Sequence, residues 1–270
     1  MNRQTRTIPR AATAGVLLLV ATSPLSLPTA ASAARQCFGQ AVTLVGTSGD
    51  NTLEGTPGDD VIAGGRGNDM IFGRGGDDKI CGDEGADSLF GGRGLDRLSG
   101  QQGNDTLLAG PGSDWARGDF GDDRIRFGPG NDRNTFGFGS SLPEPGNDEI
   151  LGGAGGDILA GGTGSDRLAG GSGADFISDR ASDGSGIGIA RFLVGRDRVR
   201  GGPGPDWLHG SRGSALILGN GGDDILCGGP NPDTIHGGRG RDNADGDTRA
   251  SGPGGDTFIS IERRRSRSCF

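Results

Sequence analysis

The sequence predicts an all-β solenoid built from nine-residue units, and two observations carry that reading. From position 46 the chain repeats at a nine-residue period. Six copies run unbroken: GTPGDDVIA (55–63), GGRGNDMIF (64–72), GRGGDDKIC (73–81), GDEGADSLF (82–90), GGRGLDRLS (91–99) and GQQGNDTLL (100–108). Composition argues against an ordinary globular core, since 59 of 270 residues are glycine, none is tyrosine and aromatics make up 5%. Glycine at that level without a period would indicate disorder. With one, each unit packs on its neighbours and a continuous stack results.

The shared pattern is G-G-x-G-x-D-x-U-x, where U is a large aliphatic residue. Glycine at the first, second and fourth positions admits backbone conformations closed to residues with a Cβ, so amides and carbonyls can wrap tightly. The stretch x-U-x is a short strand, whose alternation sends U inward and its neighbours outward. Two units make one eighteen-residue coil: turn, strand, turn, strand. The inward row then reads Leu53, Ile62, Ile71, Ile80, Leu89, Leu98, Leu107, Ala116, Ile125, Ile150, Leu159, Leu168, Ile177, Val199, Leu208, Ile217, Leu226, Ile235 and Phe258.

Aspartate at the sixth position supplies a hard carboxylate oxygen. At an eighteen-residue offset Asp60 lies over Asp78, Asp69 over Asp87, Asp78 over Asp96, Asp87 over Asp105, Asp96 over Asp114, Asp105 over Asp123 and Asp114 over Asp132. Further on, Asp148 lies over Asp166, Asp157 over Asp175, Asp206 over Asp224, and Asp224 over Asp242, with Asp233 alongside. These aspartates are the candidate metal ligands. Calcium takes six to eight oxygens in irregular geometry; one turn cannot supply them, so two must share each ion. The expected cofactor is Ca²⁺, bound many times over. Ala215 stands where an aspartate belongs, so the sites it would share with Asp197 and Asp233 should be weak or empty.

The phase defines the organisation. A first block runs 46–135, an insertion 136–142, a second block 143–178, an insertion loop 179–191, and a third block with a degenerate end 192–259. Residues 34–45 form an N-terminal cap and 260–270 a basic tail holding Arg263, Arg264, Arg265 and Arg267. That tail is either a solubilising edge-protecting cap or an attachment to anionic cell-wall polymer. Residues 1–33 have the layout of a secretory signal peptide: Arg3, Arg6 and Arg10, the apolar stretch AATAGVLLLVAT (11–22), then Ala31-Ser32-Ala33 for cleavage. The expected location is secreted, with no membrane span after cleavage. Cleavage removes three arginines and no acid, so the net charge moves from −8 to −11. Such a balance repels nucleic acid and attracts cations.

Four cysteines in an exported chain favour disulfides. Cys37 and Cys81 lie near one end of the array, Cys227 and Cys269 near the other. Stacked coils about 4.8 Å apart separate those ends by tens of ångströms, which favours Cys37–Cys81 and Cys227–Cys269, each tying a cap to its end. The two histidines, His209 and His236, and the two tryptophans, Trp115 and Trp207, occupy outward strand positions and read as solvent-facing. No H-E-x-x-H, nucleophile elbow or nucleotide-binding motif occurs, so no enzymatic activity is expected.

The nonapeptide resembles the hemolysin-type calcium-binding repeat of the RTX family, over residues 46–259. The resemblance implies a right-handed parallel β-roll with calcium along both turn edges. The chain is similar to exported repeat-only members, with no room for the catalytic domain that such arrays often carry. The expected role is a secreted calcium-binding protein whose folding depends on calcium, at an affinity on the order of 10⁻⁴–10⁻³ M, acting as an extracellular structural or interaction scaffold. Cell-wall polymer or a surface protein are the partners to consider. The alternative is an adhesin or toxin-like effector acting through the insertion loops and outer strand faces.

Overall fold

The computed structural model describes residues 36–134, 145–178, 196–210, 214–228, 232–245, 257–259, 261 and 263–264. The predicted signal segment, both insertions, Cys269 and most of the tail lie outside them. Among the described residues the chain forms strands and turns without a helix, in two parallel sheets that it visits alternately. The result is the expected parallel β-roll.

One sheet has eleven strands, from Thr52–Glu54 at one end to Thr257–Ile259 at the other. The second has five strands, ending at Trp115–Phe120, and six more that begin at Ile158–Ala160. Arg133 joins the two parts by single bridges to Trp115 and Ile158. The strand lapses there because Asn134 takes the place of an inward aliphatic. Asn134 is buried nonetheless. Its side-chain amide donates to the Ala160 carbonyl and accepts from the Ala160 N–H, both at 2.7 Å. A polar residue in the core row is thus satisfied by the next coil.

Strand partners stand eighteen residues apart within each block, as in Lys79 with Arg97, except at the degenerate end, where Thr234 pairs with Thr257. Across the first insertion Arg124 pairs with Glu149, and across the second Arg167 pairs with Arg198. The offset grows by the length of each insertion, and the sheet continues on the far side of both. Every inward residue from Ile62 to Ile235 is buried. Leu44, in the first strand of the second sheet, and Ala244 join the same core, which the nonapeptide pattern had not marked. The side chain of Phe258 lies outside the described residues.

The N-terminal hairpin departs from expectation. Gln36–Cys37 and Gln40–Ala41 pair antiparallel around Phe38 and Gly39, both at positive φ, the tight turn whose twist suits a hairpin. Cys37 is bonded to Cys81, with Cα atoms 5.8 Å apart. The hairpin does not close the end of the roll. It lies along the outer face of the second sheet, burying the outward residues Ala63, Cys81 and Ser99, and Phe38 meets Trp115 edge-on at 5.3 Å. Trp115 is therefore half-buried rather than solvent-facing, while Trp207 is exposed. His209, also read as solvent-facing, is buried beside its strand partner Cys227; His236 is half-buried. Cys227 is disulfide-bonded.

Candidate metal centre

The turns at the two edges of the roll are built by one rule. The N–H of each sixth-position aspartate donates to Oδ1 of the aspartate one coil further on. On one edge this chain of bonds runs Asp60, Asp78, Asp96, Asp114, Asp132, Asp157, Asp175, Asp206, Asp224, Asp242 without a gap, at 2.8–3.1 Å. On the other it runs from Asn51 through Asp69, Asp87, Asp105, Asp123, Asp148 and Asp166 to Asp197. It stops at Ala215, whose own N–H still reaches Asp233 at 2.7 Å. All candidate ligands named from the sequence fall on these two edges. Asp197 joins them as a full member, and the ladders cross both insertions through Asp123–Asp148, Asp132–Asp157, Asp166–Asp197 and Asp175–Asp206. An offset fixed at eighteen residues had hidden those four pairs.

The second carboxylate oxygen defines the cradle. Oδ2 of Asp78, Asp87, Asp96, Asp105, Asp114, Asp123 and Asp132 is buried without a hydrogen-bond partner, and so is that of Asp157, Asp175, Asp206 and Asp224. In nine of these eleven units it sits against the first-position glycine; Ala109 and Phe127 hold that place in the units of Asp114 and Asp132. A Cβ on Gly100 would stand 2.1 Å from Asp105 Oδ2 and 2.8 Å from the Gly118 carbonyl oxygen. The first glycine therefore serves by closeness and not by backbone conformation, since Gly100 has no positive φ. This corrects the sequence reading, which gave it a conformational role. The fourth glycine does need one: Gly85 has φ +142°, and a Cβ there would also lie 1.9 Å from the Gly67 carbonyl oxygen. The second position lies between these cases. It is left-handed, yet Arg74, Asp83, Gln101, Asp119 and Asn220 occupy it at φ 75–82°.

A further ladder was missed. Fifth-position side chains accept the N–H of the next coil, as Asp50 does from Asn68, Asp59 from Asp77, Asn68 from Ala86 and Asp77 from Leu95, all at 2.8 Å. It runs opposite in sense to the sixth-position ladder. The signal was present, since Asp, Asn or Ser fills the fifth position in many units.

A cradle of one carboxylate oxygen and main-chain carbonyls suits a hard, oxygen-seeking cation of flexible coordination. Among the described residues no three His, Cys, Asp or Glu side chains converge as a zinc or transition-metal site needs. The donor set fits calcium. The model of the RTX calcium-binding nonapeptide repeat matches residues 45–80, 82–116, 99–133, 144–177, 194–226 and 218–248. The chain belongs to the RTX calcium-binding repeat family. No curated protein matches it.

Without an ion the RTX ladder is electrostatically costly. Burial raises the Asp123 carboxyl to about 8; the bond from the Asp105 N–H opposes this, and the charges of Asp148 and Asp105 add to it. Burial likewise lifts Asp105, Asp114, Asp148 and Asp206 to about 7 and Asp78, Asp87, Asp157 and Asp224 to about 6. In each, the ladder N–H pulls the other way and neighbouring aspartates push further up.

Ala215 offers a direct check. The space beside it is kept, because a Cβ on Gly210 would stand 2.5 Å from the Gly228 carbonyl oxygen, as at the aspartate-bearing turns. Ala215→Asp should restore the ladder and raise the calcium stoichiometry measured by isothermal titration calorimetry. An unchanged stoichiometry would show that the missing carboxylate is not what limits binding there.

Proposed function

We propose that this calcium-binding RTX protein is exported, that calcium drives its folding outside the cell, and that the folded roll serves as a non-catalytic structural or interaction scaffold. The row of buried Oδ2 atoms without donors carries the reading. Most of these stacked carboxylates share their space with a carbonyl oxygen beside a first-position glycine, and buried like charges of this kind disfavour the fold until a cation neutralises them. Calcium, when bound, supplies positive charge and oxygen coordination to the folded state alone, which stabilises that state by mass action. The chain's own residues do the rest. The first glycine keeps the cradle open, the ladder N–H fixes Oδ1, and the inward aliphatics hold the coils in register.

Export is supported by the signal-like segment 1–33 and by the disulfide at Cys37–Cys81, a bond that persists in oxidising surroundings. Among the described residues no helix is long and apolar enough to cross a membrane. The adhesin or effector reading has one observation in its favour. Residues 134, 178 and 245, the last described residues before an interruption, all lie on the second sheet's side of the coil and precede the same edge.

Protein recovered from the culture medium should begin at Ala34. It should resist trypsin in millimolar calcium and be degraded in chelator, with magnesium giving no protection because it demands strict octahedral geometry. Retention in the cells with residues 1–33 intact, or equal resistance in calcium and chelator, would refute the proposal.

A further inference from the structure

The outer face of the eleven-stranded sheet carries a charge pattern that calcium binding does not use. On four consecutive strands, Arg124–Pro129, Glu149–Ala154, Arg167–Ser172 and Arg198–Pro203, the outward residues align in two rows. One row is Arg124, Glu149, Arg167, Arg198; the other is Arg126, Leu151, Ala169, Arg200. The five arginines are exposed. Arg124 pairs with Glu149 at 3.6 Å, and among the described residues no ion pair involves the other four.

Packing does not explain this face. Arg167 and Arg198 stand directly opposite on adjacent strands, a like-charge placement that destabilises a sheet. It occurs in a chain of net charge −8; Lys79 also stands opposite Arg97 on the other sheet, but this face gathers five cations. The patch spans three strand spacings, about 14 Å, and is two residues wide along the strand, about 7 Å. Leu151 and Ala169, both half-buried, floor its centre.

We propose that this face binds a linear anionic polysaccharide laid along the roll axis, its carboxylate or sulfate groups held by Arg124 and Arg126 at one end and by Arg167, Arg198 and Arg200 at the other. Guanidinium groups recognise planar oxyanions through paired N–H donors. A patch one chain wide suits a single polymer strand and is too narrow for a nucleic-acid duplex. Single-stranded nucleic acid needs open aromatic faces for its bases. The ring on these four strands, Phe127, is buried in the core, and on the strands further along this sheet Phe72 and Phe90 stack on each other at 4.7 Å. The inference rests on the reading above only for the roll being folded and for its partner lying outside the cell.

The test uses the full mature chain in millimolar calcium with a fluorescent heparin oligosaccharide and an oligogalacturonate too short to gel, against neutral dextran. Arg167→Ala/Arg198→Ala/Arg200→Ala should weaken binding to both anionic probes about ten- to a hundredfold and flatten its salt dependence. Arg97→Ala, on the other sheet, should leave both unchanged. The triple variant should keep its circular dichroism and melt no lower than the parent, because the opposed charges are gone; a purely structural role would lower the melting temperature. Undiminished binding by the triple variant, no binding by the parent, or binding confined to a single-stranded oligonucleotide or to anionic vesicles would each overturn the proposal. A chain that folds in calcium but does not bind fails this inference alone. A chain that folds and binds in chelator fails the calcium reading alone.

Discussion

Asp105→Asn/Asp123→Asn should fold better than the parent in chelator and respond to calcium far more weakly. Asparagine keeps the side-chain oxygen that accepts the ladder N–H of Asp87 and Asp105. It replaces the partnerless Oδ2 by an NH₂ group facing the space that Asp105 Oδ2 shares with the Gly118 carbonyl oxygen. A buried charge is exchanged for a donor beside an acceptor. The cost of burying an unpaired charge disappears, and a ligand oxygen and its charge are lost, which moves calcium affinity by about tenfold or more. Far-UV circular dichroism across a calcium titration reads both effects. If the double variant is less structured than the parent in chelator and in calcium alike, the carboxylates matter for packing and the charge argument fails.

Acidification should act in opposite senses on the two states. Asp123 titrates in the folded, metal-free chain at about 8 and Asp105, Asp114 and Asp148 at about 7, against 3.8 when exposed. The folded state therefore binds more protons than the unfolded one between about 4 and 8. Metal-free stability falls as pH rises through that window and is greatest below it. In chelator, lowering the pH from 8 to 5 should increase β structure. Calcium competes with those protons, so its folding midpoint should move to higher concentration over the same change. A calcium midpoint that does not move between pH 8 and 6 would mean that the buried carboxylates do not titrate as this arrangement requires.

Much of the fold was legible because the repeat separates its roles by position. Leu89 or Ile150 can be read as core and Asp96 as edge without any knowledge of the partner strand, since period alone fixes which side each faces. What period cannot give is the fate of a phase break. Asp132 and Asp157 are twenty-five residues apart, and an eighteen-residue offset does not make them the neighbours that they are. The role of the first glycine was misassigned for a related reason: a glycine that makes room for the next coil and one that takes a left-handed backbone leave the same letter. The fifth-position ladder escaped because Asp, Asn and Ser alternate there and no single residue type marks it. Outward positions were the least legible. Ala63, Cys81 and Ser99 face away from the core yet are buried under a hairpin whose position depends on Cys37 reaching Cys81 and Phe38 reaching Trp115.

The central claim is that cations held at the two carboxylate edges keep this glycine-rich chain folded. Far-UV circular dichroism of the mature protein, residues 34–270, titrated from excess chelator into calcium at pH 7.5, tests it most directly. The account predicts a largely unordered spectrum in chelator and a steep rise in β signal at concentrations on the order of 10⁻⁴–10⁻³ M. A cooperative thermal transition should appear only in calcium. A full β spectrum with a cooperative melt in chelator, unchanged on adding calcium, would contradict it.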